Sequence, residues 1–154
     1  MPLEDILPRL KTINSGVSGI STAFDHDDIP QSIQTADLPA VMVYPTPSQI
    51  NYSAAQQAHI EHIVLMDVYV APRSRRPLRE QLSDAVPYVD LFVTEYADAM
   101  RLNDLDSSTP ETDEYIAQLQ QYEIGELEFE GDKFYIGVRF TLQVHEHTHK
   151  TTGT

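Results

Sequence analysis

At 154 residues, 41% of them hydrophobic, the chain is long enough to fold as one domain around a real core. It has no cysteine, which excludes disulfides, thiolate metal sites and a cysteine nucleophile. Twenty-four acidic against ten basic residues leave a formal net charge of −14, a balance that repels phosphates and argues against ordinary nucleic-acid binding. Such charge commonly serves solubility, and it also suits a surface past which DNA must slide without sticking.

In chain order, Leu3, Ile6, Leu7, Leu10 and Ile13 recur at helical spacing. Pro8 conflicts with a helix interior, a conflict eased if Asp5 is the N-cap and Pro8 falls in the first turn. Asn14-Ser15-Gly16 weakens the helix, and Val17, Ile20 and Phe24 extend its apolar stripe. Residues 25–37 are polar and read as a loop. Residues 38–44 form a short buried strand closed by Pro45-Thr46-Pro47, followed by a second loop over 46–57. The next strand, 59–70, is apolar on both sides, which predicts a central strand or one covered by a partner. Pro72 ends it, and Pro77 opens a second helix at a position where proline is welcome. Leu78, Leu82, Ala85, Val89, Phe92, Val93, Tyr96 and Met100 form its apolar stripe, with a kink or break expected near Ser83 because of Pro87.

An acidic loop at 103–114 leads into the most regular part of the chain. A strand over 120–129, a turn at Gly131-Asp132 and a strand over 134–146 read as a long hairpin. In the last strand Phe134, Ile136, Val138, Phe140, Leu142 and Val144 share the buried face, while Tyr135, Gly137, Arg139, Thr141, Gln143 and His145 share the other. A polar tail, 147–154, closes the chain. The order α-β-β-α-β-β predicts a single α+β domain over 1–146: two layers, with a mostly antiparallel four-stranded sheet and helices packed on one face.

The candidate chemistry is sparse. His145, His147 and His149 would project on one side of a continuing strand and suit zinc, nickel or copper, or else form a solvated strand end. Asp25-His26-Asp27-Asp28 lacks the glycine and distal glutamate of a calcium loop and reads as a solvated acidic loop. His59 and His62 fall on opposite faces of a strand. Gly16-Val17-Ser18-Gly19 fits neither a phosphate-binding loop nor a nucleophile elbow. Arg73, Arg75 and Arg76 form the one basic cluster, read either as a solvated loop or as a contact for acidic loops of a neighbouring subunit. No carboxylate pair, triad or cofactor motif stands out, so neither an enzyme nor a cofactor is expected, and no metal is assigned. Asn51-Tyr52-Ser53 matches a glycosylation acceptor, but the N-terminus lacks the basic start of a secretory signal. No apolar run approaches the roughly 18 residues that cross a bilayer, and no membrane partner is expected.

Five segments together carry a family likeness: Met-Pro-Leu-Glu-Asp-Ile-Leu-Pro-Arg-Leu at the start, Leu38-Pro-Ala-Val-Met-Val-Tyr-Pro45, Val68-Tyr-Val-Ala-Pro72, Val86-Pro-Tyr-Val-Asp-Leu-Phe92 and Tyr135-Ile-Gly-Val-Arg-Phe-Thr-Leu-Gln-Val144. In element order and in these segments, over about 1–146, the chain resembles the tail terminator (tail completion) proteins of long-tailed bacteriophages. The resemblance implies a homo-oligomeric ring, typically a hexamer, assembled in the host cytoplasm and located in the virion tail or neck. Such a ring caps the tail tube protein, stops its polymerisation, presents a surface to the head–tail connector and lets DNA pass without specific binding. On that likeness, Arg73, Arg75, Arg76, Asn51 and Tyr52 are candidates for the subunit interface. Asp104, Asp106, Glu111, Asp113 and Glu114 are candidates for an acidic lumen. Head-completion and neck (head-closure) proteins share the size and sheet-based build and form the alternative, as does a small soluble ligand-binding or regulatory α+β domain.

Overall fold

The computed structural model describes residues 3–46, 49–52, 58–99, 102, 113–131 and 133–148, with backbone only at 49–52, 58–60, 113–114 and 146–148. The elements are α1 (Leu3–Ser15), β1 (Thr22–Phe24), a 3-10 turn (Thr35–Asp37), β2 (Ala40–Pro45), β3 (Gln49–Tyr52), β4 (Ala58–Pro72), α2 (Leu78–Asp98), β5 (Asp113–Phe129) and β6 (Lys133–Thr148). They form an α+β domain: two helices packed against an open, mixed, mostly antiparallel sheet of five strands in the order β1-β2-β4-β6-β5. Only β1 and β2 run parallel. β3 lies off this path and pairs with the start of β4, Gln49 opposite Glu61 and Tyr52 opposite Ala58.

The sheet therefore has more strands than the four expected. β1 is too short for a period of two to be visible. β3 lies inside the 46–57 stretch that reads as a loop because Pro45 and Pro47 precede it and its four residues, Gln49-Ile50-Asn51-Tyr52, are too few to show a period of two. Both long strands also reach beyond their expected ends. β5 begins at Asp113, within the expected acidic loop, and β6 runs through His147 to Thr148, within the expected tail.

The central position of β4 follows from its sequence. It pairs with β2 on one side and β6 on the other, so Val64, Met66, Val68 and Tyr69 are all buried. One set of alternate strand residues, including Val41, Val43, Val64, Met66, Val138, Phe140 and Leu142, packs with Ile6, Leu7, Leu10 and Ile13 of α1 and Ala85, Phe92 and Tyr96 of α2. The rings of Phe92 and Phe140 lie 5.1 Å apart. The facing of β6 is as expected from Ile136 to Val144; Phe134, at the hairpin end, is 49% exposed.

The opposite set of alternate residues has its own core. Met42, Tyr69, Leu127, Phe129 and Tyr135 pack beneath Ile33, with Phe24, Ile29 and Leu38 beside them. Tyr69 meets both Phe129 and Tyr135 edge to face, with centroids 5.7 and 5.5 Å away. The 25–37 segment is thus more than a polar loop: its two isoleucines cover part of the sheet. Residues 17–24 do not extend α1, which ends at Ser15; Val17 enters the main core and Thr22–Phe24 becomes β1.

Both helices carry a proline inside them. Asp5 is not a cap, because α1 starts at Leu3 and Pro8 lies inside it. α2 continues through Pro87 as one helix of 21 residues, so of the two outcomes expected, a kink or a break, the break does not occur. Phe92 and Tyr96 on the C-terminal side and Ala85 on the N-terminal side all anchor in one core, which holds the two halves together.

Two bulges interrupt the ladders, one between Tyr69 and Ala71 on β4 and one between Leu119 and Gln121 on β5. Next to the first, Gly137 sits so close to the Val68 carbonyl oxygen that no side chain fits there. At the β5–β6 turn, Glu130 (φ 53°) and Gly131 (φ 79°) both adopt the left-handed conformation. No described helix is long and apolar enough to cross a membrane.

Candidate functional site

The side of the sheet that the helices do not cover carries the most organised polar group. Asp67 on β4 and Arg139 on β6 stand directly opposite in the ladder. The Arg139 guanidinium donates from Nε to Asp67 Oδ1 at 2.8 Å and from Nη2 to Oδ2 at 3.0 Å, a two-pronged pair. The Asp67 side chain is 2% exposed and that of Arg139 is 43% exposed, so the pair runs from the sheet interior to its surface. Asp67 holds the guanidinium above its ordinary pKa through that hydrogen bond.

Tyr44 and Tyr69 hydroxyls lie 3.1 Å apart beside this pair. Burial pushes both phenols up, so both are neutral at ordinary pH. The cleft over these groups, about 410 Å³, is lined by Ile29, Tyr44, Leu65, Phe129 and Glu130. A second cleft of about 510 Å³ adjoins it at Arg139 and is lined by Glu123, Glu126, Glu128 and Glu130. The carboxylate of Asp67 is engaged by Arg139 and the phenols are neutral, so these groups form a structural clamp.

The basic cluster is shaped by α2. Gln81, buried at the helix start, accepts from the Ser74 backbone N–H at 2.9 Å and donates to the Ser74 carbonyl at 3.1 Å, fixing the 73–77 link. Arg73 pairs with Glu126 of β5. Arg76 pairs with Asp84 at 2.9 Å and lies 3.8 Å from Glu80. Two of the three arginines are thus engaged within the chain, in exposed pairs of small energetic weight. Arg75 is exposed. Asn51 and Tyr52 belong to β3. Asp113 and Glu114 open β5, opposite Thr148 and His147. Asp104, Asp106 and Glu111 lie outside the described residues.

The histidine run divides in the same way. His145 is half-buried on β6, His147 follows it on the same strand, and His149 lies outside the described residues. His62 is buried, and burial lowers its pKa below the ordinary value.

In the acidic run, Asp25 is buried and works locally. Its Oδ1 accepts from the His26 backbone N–H at 2.6 Å and lies 2.8 Å from His26 Nδ1, and its own N–H donates to Asp28 Oδ1 at 2.6 Å. Asp28 also pairs with Lys11 at 2.6 Å. These contacts hold Asp25 and His26 together, and the Asp27 carboxylate lies within 4.8 Å of both.

Sequence reasoning overlooked the Asp67–Arg139 pair. The signal was present: Asp67 is the one charged residue within 62–70, and Arg139 the one within 134–145. A single charge in each of two apolar strands, of opposite sign, points to a partner across the ladder. Comparison of the sequence with protein-family models and with curated proteins found no match.

Proposed function

We propose that this chain is a structural protein of a long-tailed bacteriophage particle, a tail terminator that forms a ring on the end of the tail tube and meets the head–tail connector. The observation that supports this reading most is a domain built as surface. Its open sheet ends in β5, a 17-residue strand that stands last in the strand order, while its most buried charge is spent on a clamp within the sheet. Element order supports it too, since the five segments that carry the family likeness fall on α1, β2, the end of β4, α2 and β6.

In this reading the helices lie on one side of the sheet, Arg75 with Asn51 and Tyr52 faces a neighbouring subunit, and the acids at the start of β5 contribute to a lumen that repels DNA. Asp104, Asp106 and Glu111 belong to the same proposed lining.

Electron microscopy of the purified protein, alone and mixed with tail tubes, tests the proposal. Rings seated on tube ends, with tubes that no longer elongate, are expected. Protein that stays monomeric in the presence of tubes overturns the ring. Rings that bind only the connector favour the neck alternative.

A further inference from the structure

A wide opening lies where the β5–β6 hairpin meets the side of the sheet that the helices leave bare. Two clefts, of about 410 and 510 Å³, adjoin there and share Glu128, Glu130 and Arg139 in their walls. The smaller one has an apolar and aromatic floor made by Ile29, Leu65, Tyr44 and Phe129. The charges around the opening do not balance. Asp67 and Arg139 cancel each other in the clamp, and Arg73 engages Glu126. Glu128 and Glu130 are exposed, and neither carboxylate has a hydrogen bond or an ion pair among the described residues. Lys133, across the turn, lines neither cleft. Glu130 also stands at φ 53°, where glycine or asparagine is less strained, so a carboxylate is held at this mouth against the preference of the backbone.

The opening repels an anion. It does not suit a bare metal ion either: among the described residues, three ligand groups gather within 4.8 Å of one another only at Asp25, His26 and Asp27. Carboxylates set apart over an apolar floor suit an organic cation with an apolar stem. An arginine side chain is such a group. Its stem lies along apolar walls, while its guanidinium stacks on aromatic rings and forks to carboxylates. The chain itself presents one. In the 73–77 link, Arg73 and Arg76 are engaged by Glu126 and Asp84. Arg75 is exposed and has no ion pair among the described residues. Gln81 braces the link around it, bonding to Ser74 on one side and to the Arg76 carbonyl at 2.5 Å on the other.

We propose that Arg75 of one copy seats in the cleft of a second copy, over Tyr44 and Phe129, with its guanidinium against Glu128 and Glu130. Charge complementarity selects this occupant. Two copies of net charge −14 repel, and this contact sets an unengaged arginine of one against unengaged acids of the other. Enclosed by the cleft, the pair is screened by salt far less than the repulsion between exposed surfaces is. The link and the cleft are different surfaces and every copy carries both. The contact therefore runs head to tail, the kind that generates a ring when its rotation closes. The inference rests on the self-assembly in the ring reading, and its contact can be tested separately.

An exchange of charges in the full chain tests this. One variant is Arg75→Glu and the other is Glu128→Lys with Glu130→Lys. All three positions are exposed, so both variants should keep the melting temperature of the parent. In sedimentation, and in microscopy on tail tubes, each should lower the assembled fraction about tenfold or more, because like charges then face each other. The lysine variant is less negative overall, so a loss there does not come from greater repulsion between whole copies. Mixing the two variants, or combining all three substitutions in one chain, should return assembly to within about twofold of the parent, since each contact again joins opposite charges. Loss without rescue overturns the proposal. Rings that survive both variants overturn the contact and leave the ring standing. Discrete dimers that obey the exchange uphold the contact and overturn the ring. Self-assembly that persists while tube capping is lost puts a cation of the tube protein in the cleft and overturns the second copy as occupant. A parent chain that stays monomeric in both settings overturns contact and ring together.

Discussion

Phe140 is the residue on which the main core turns. It is 1% exposed, lies mid-strand on β6 opposite Met66 and Tyr122, and stacks near Phe92 of α2. Phe140→Ala should cost about 3–5 kcal/mol in chemical denaturation, as large-to-small core changes do. An unchanged midpoint would contradict this facing of the strand. The Asp67–Arg139 clamp should respond asymmetrically. Arg139→Ala strands a buried carboxylate and should cost about 1.5–3 kcal/mol, the scale of hydrogen bonds to a charged group. Asp67→Asn leaves a guanidinium that solvent already reaches and should cost less; equal costs in denaturant titrations would refute the clamp as drawn. His62 gives a pH signature. Its folded pKa is lowered by burial, so the unfolded chain takes up its proton first and stability falls as pH drops below the unfolded value of about 6.5. His62→Gln should flatten the melting temperature between neutral and mildly acidic pH.

At the scale of elements, α2 and the β4–β6 pair show local rules yielding to packing. Pro87 removes a backbone donor inside a helix that nevertheless runs unbroken. Its own side chain is exposed, so Pro87→Ala loses no core contact and should raise stability, by up to about 3 kcal/mol if the helix geometry is otherwise ideal. A lower melting temperature in that variant would mean that the helix is shaped around the proline. At Gly137 the reverse holds. Gly137→Ala drives a Cβ into the Val68 carbonyl at the rim of a bulge and should cost more than the about 1–3 kcal/mol of an ordinary overpacked site. Poor expression or early melting is the expected readout.

Across the whole molecule, the charge of −14 sets how copies meet. Self-association should strengthen with ionic strength, because salt screens repulsion between exposed charges. Sedimentation of the purified chain at rising salt measures this, and weaker association at high salt would place exposed ion pairs at the contact. Retention on duplex DNA should be negligible at physiological salt, and tight binding would refute an acidic passage.

Much of this protein is legible in its residues alone. Alternation in 134–146 sets the facing of β6 from Ile136 to Val144, double-sided apolarity in 59–70 makes β4 central, and the helical spacing of Leu3 to Ile13 and Leu78 to Tyr96 locates both helices. Each is a periodic pattern long enough to be read locally, because burying one face repeats the same demand every two or about 3.6 residues. The tertiary structure decided what is too short or too distant to repeat. β1 and β3 exist as strands because β2 and β4 supply their hydrogen bonds. Ile29 and Ile33 find a use only over Tyr69 and Phe129, and α2 stays whole because one core holds both its halves. Asp67 and Arg139, 72 residues apart, become a pair only when β4 and β6 lie side by side. A ladder register joins residues whose separation leaves no period in the chain.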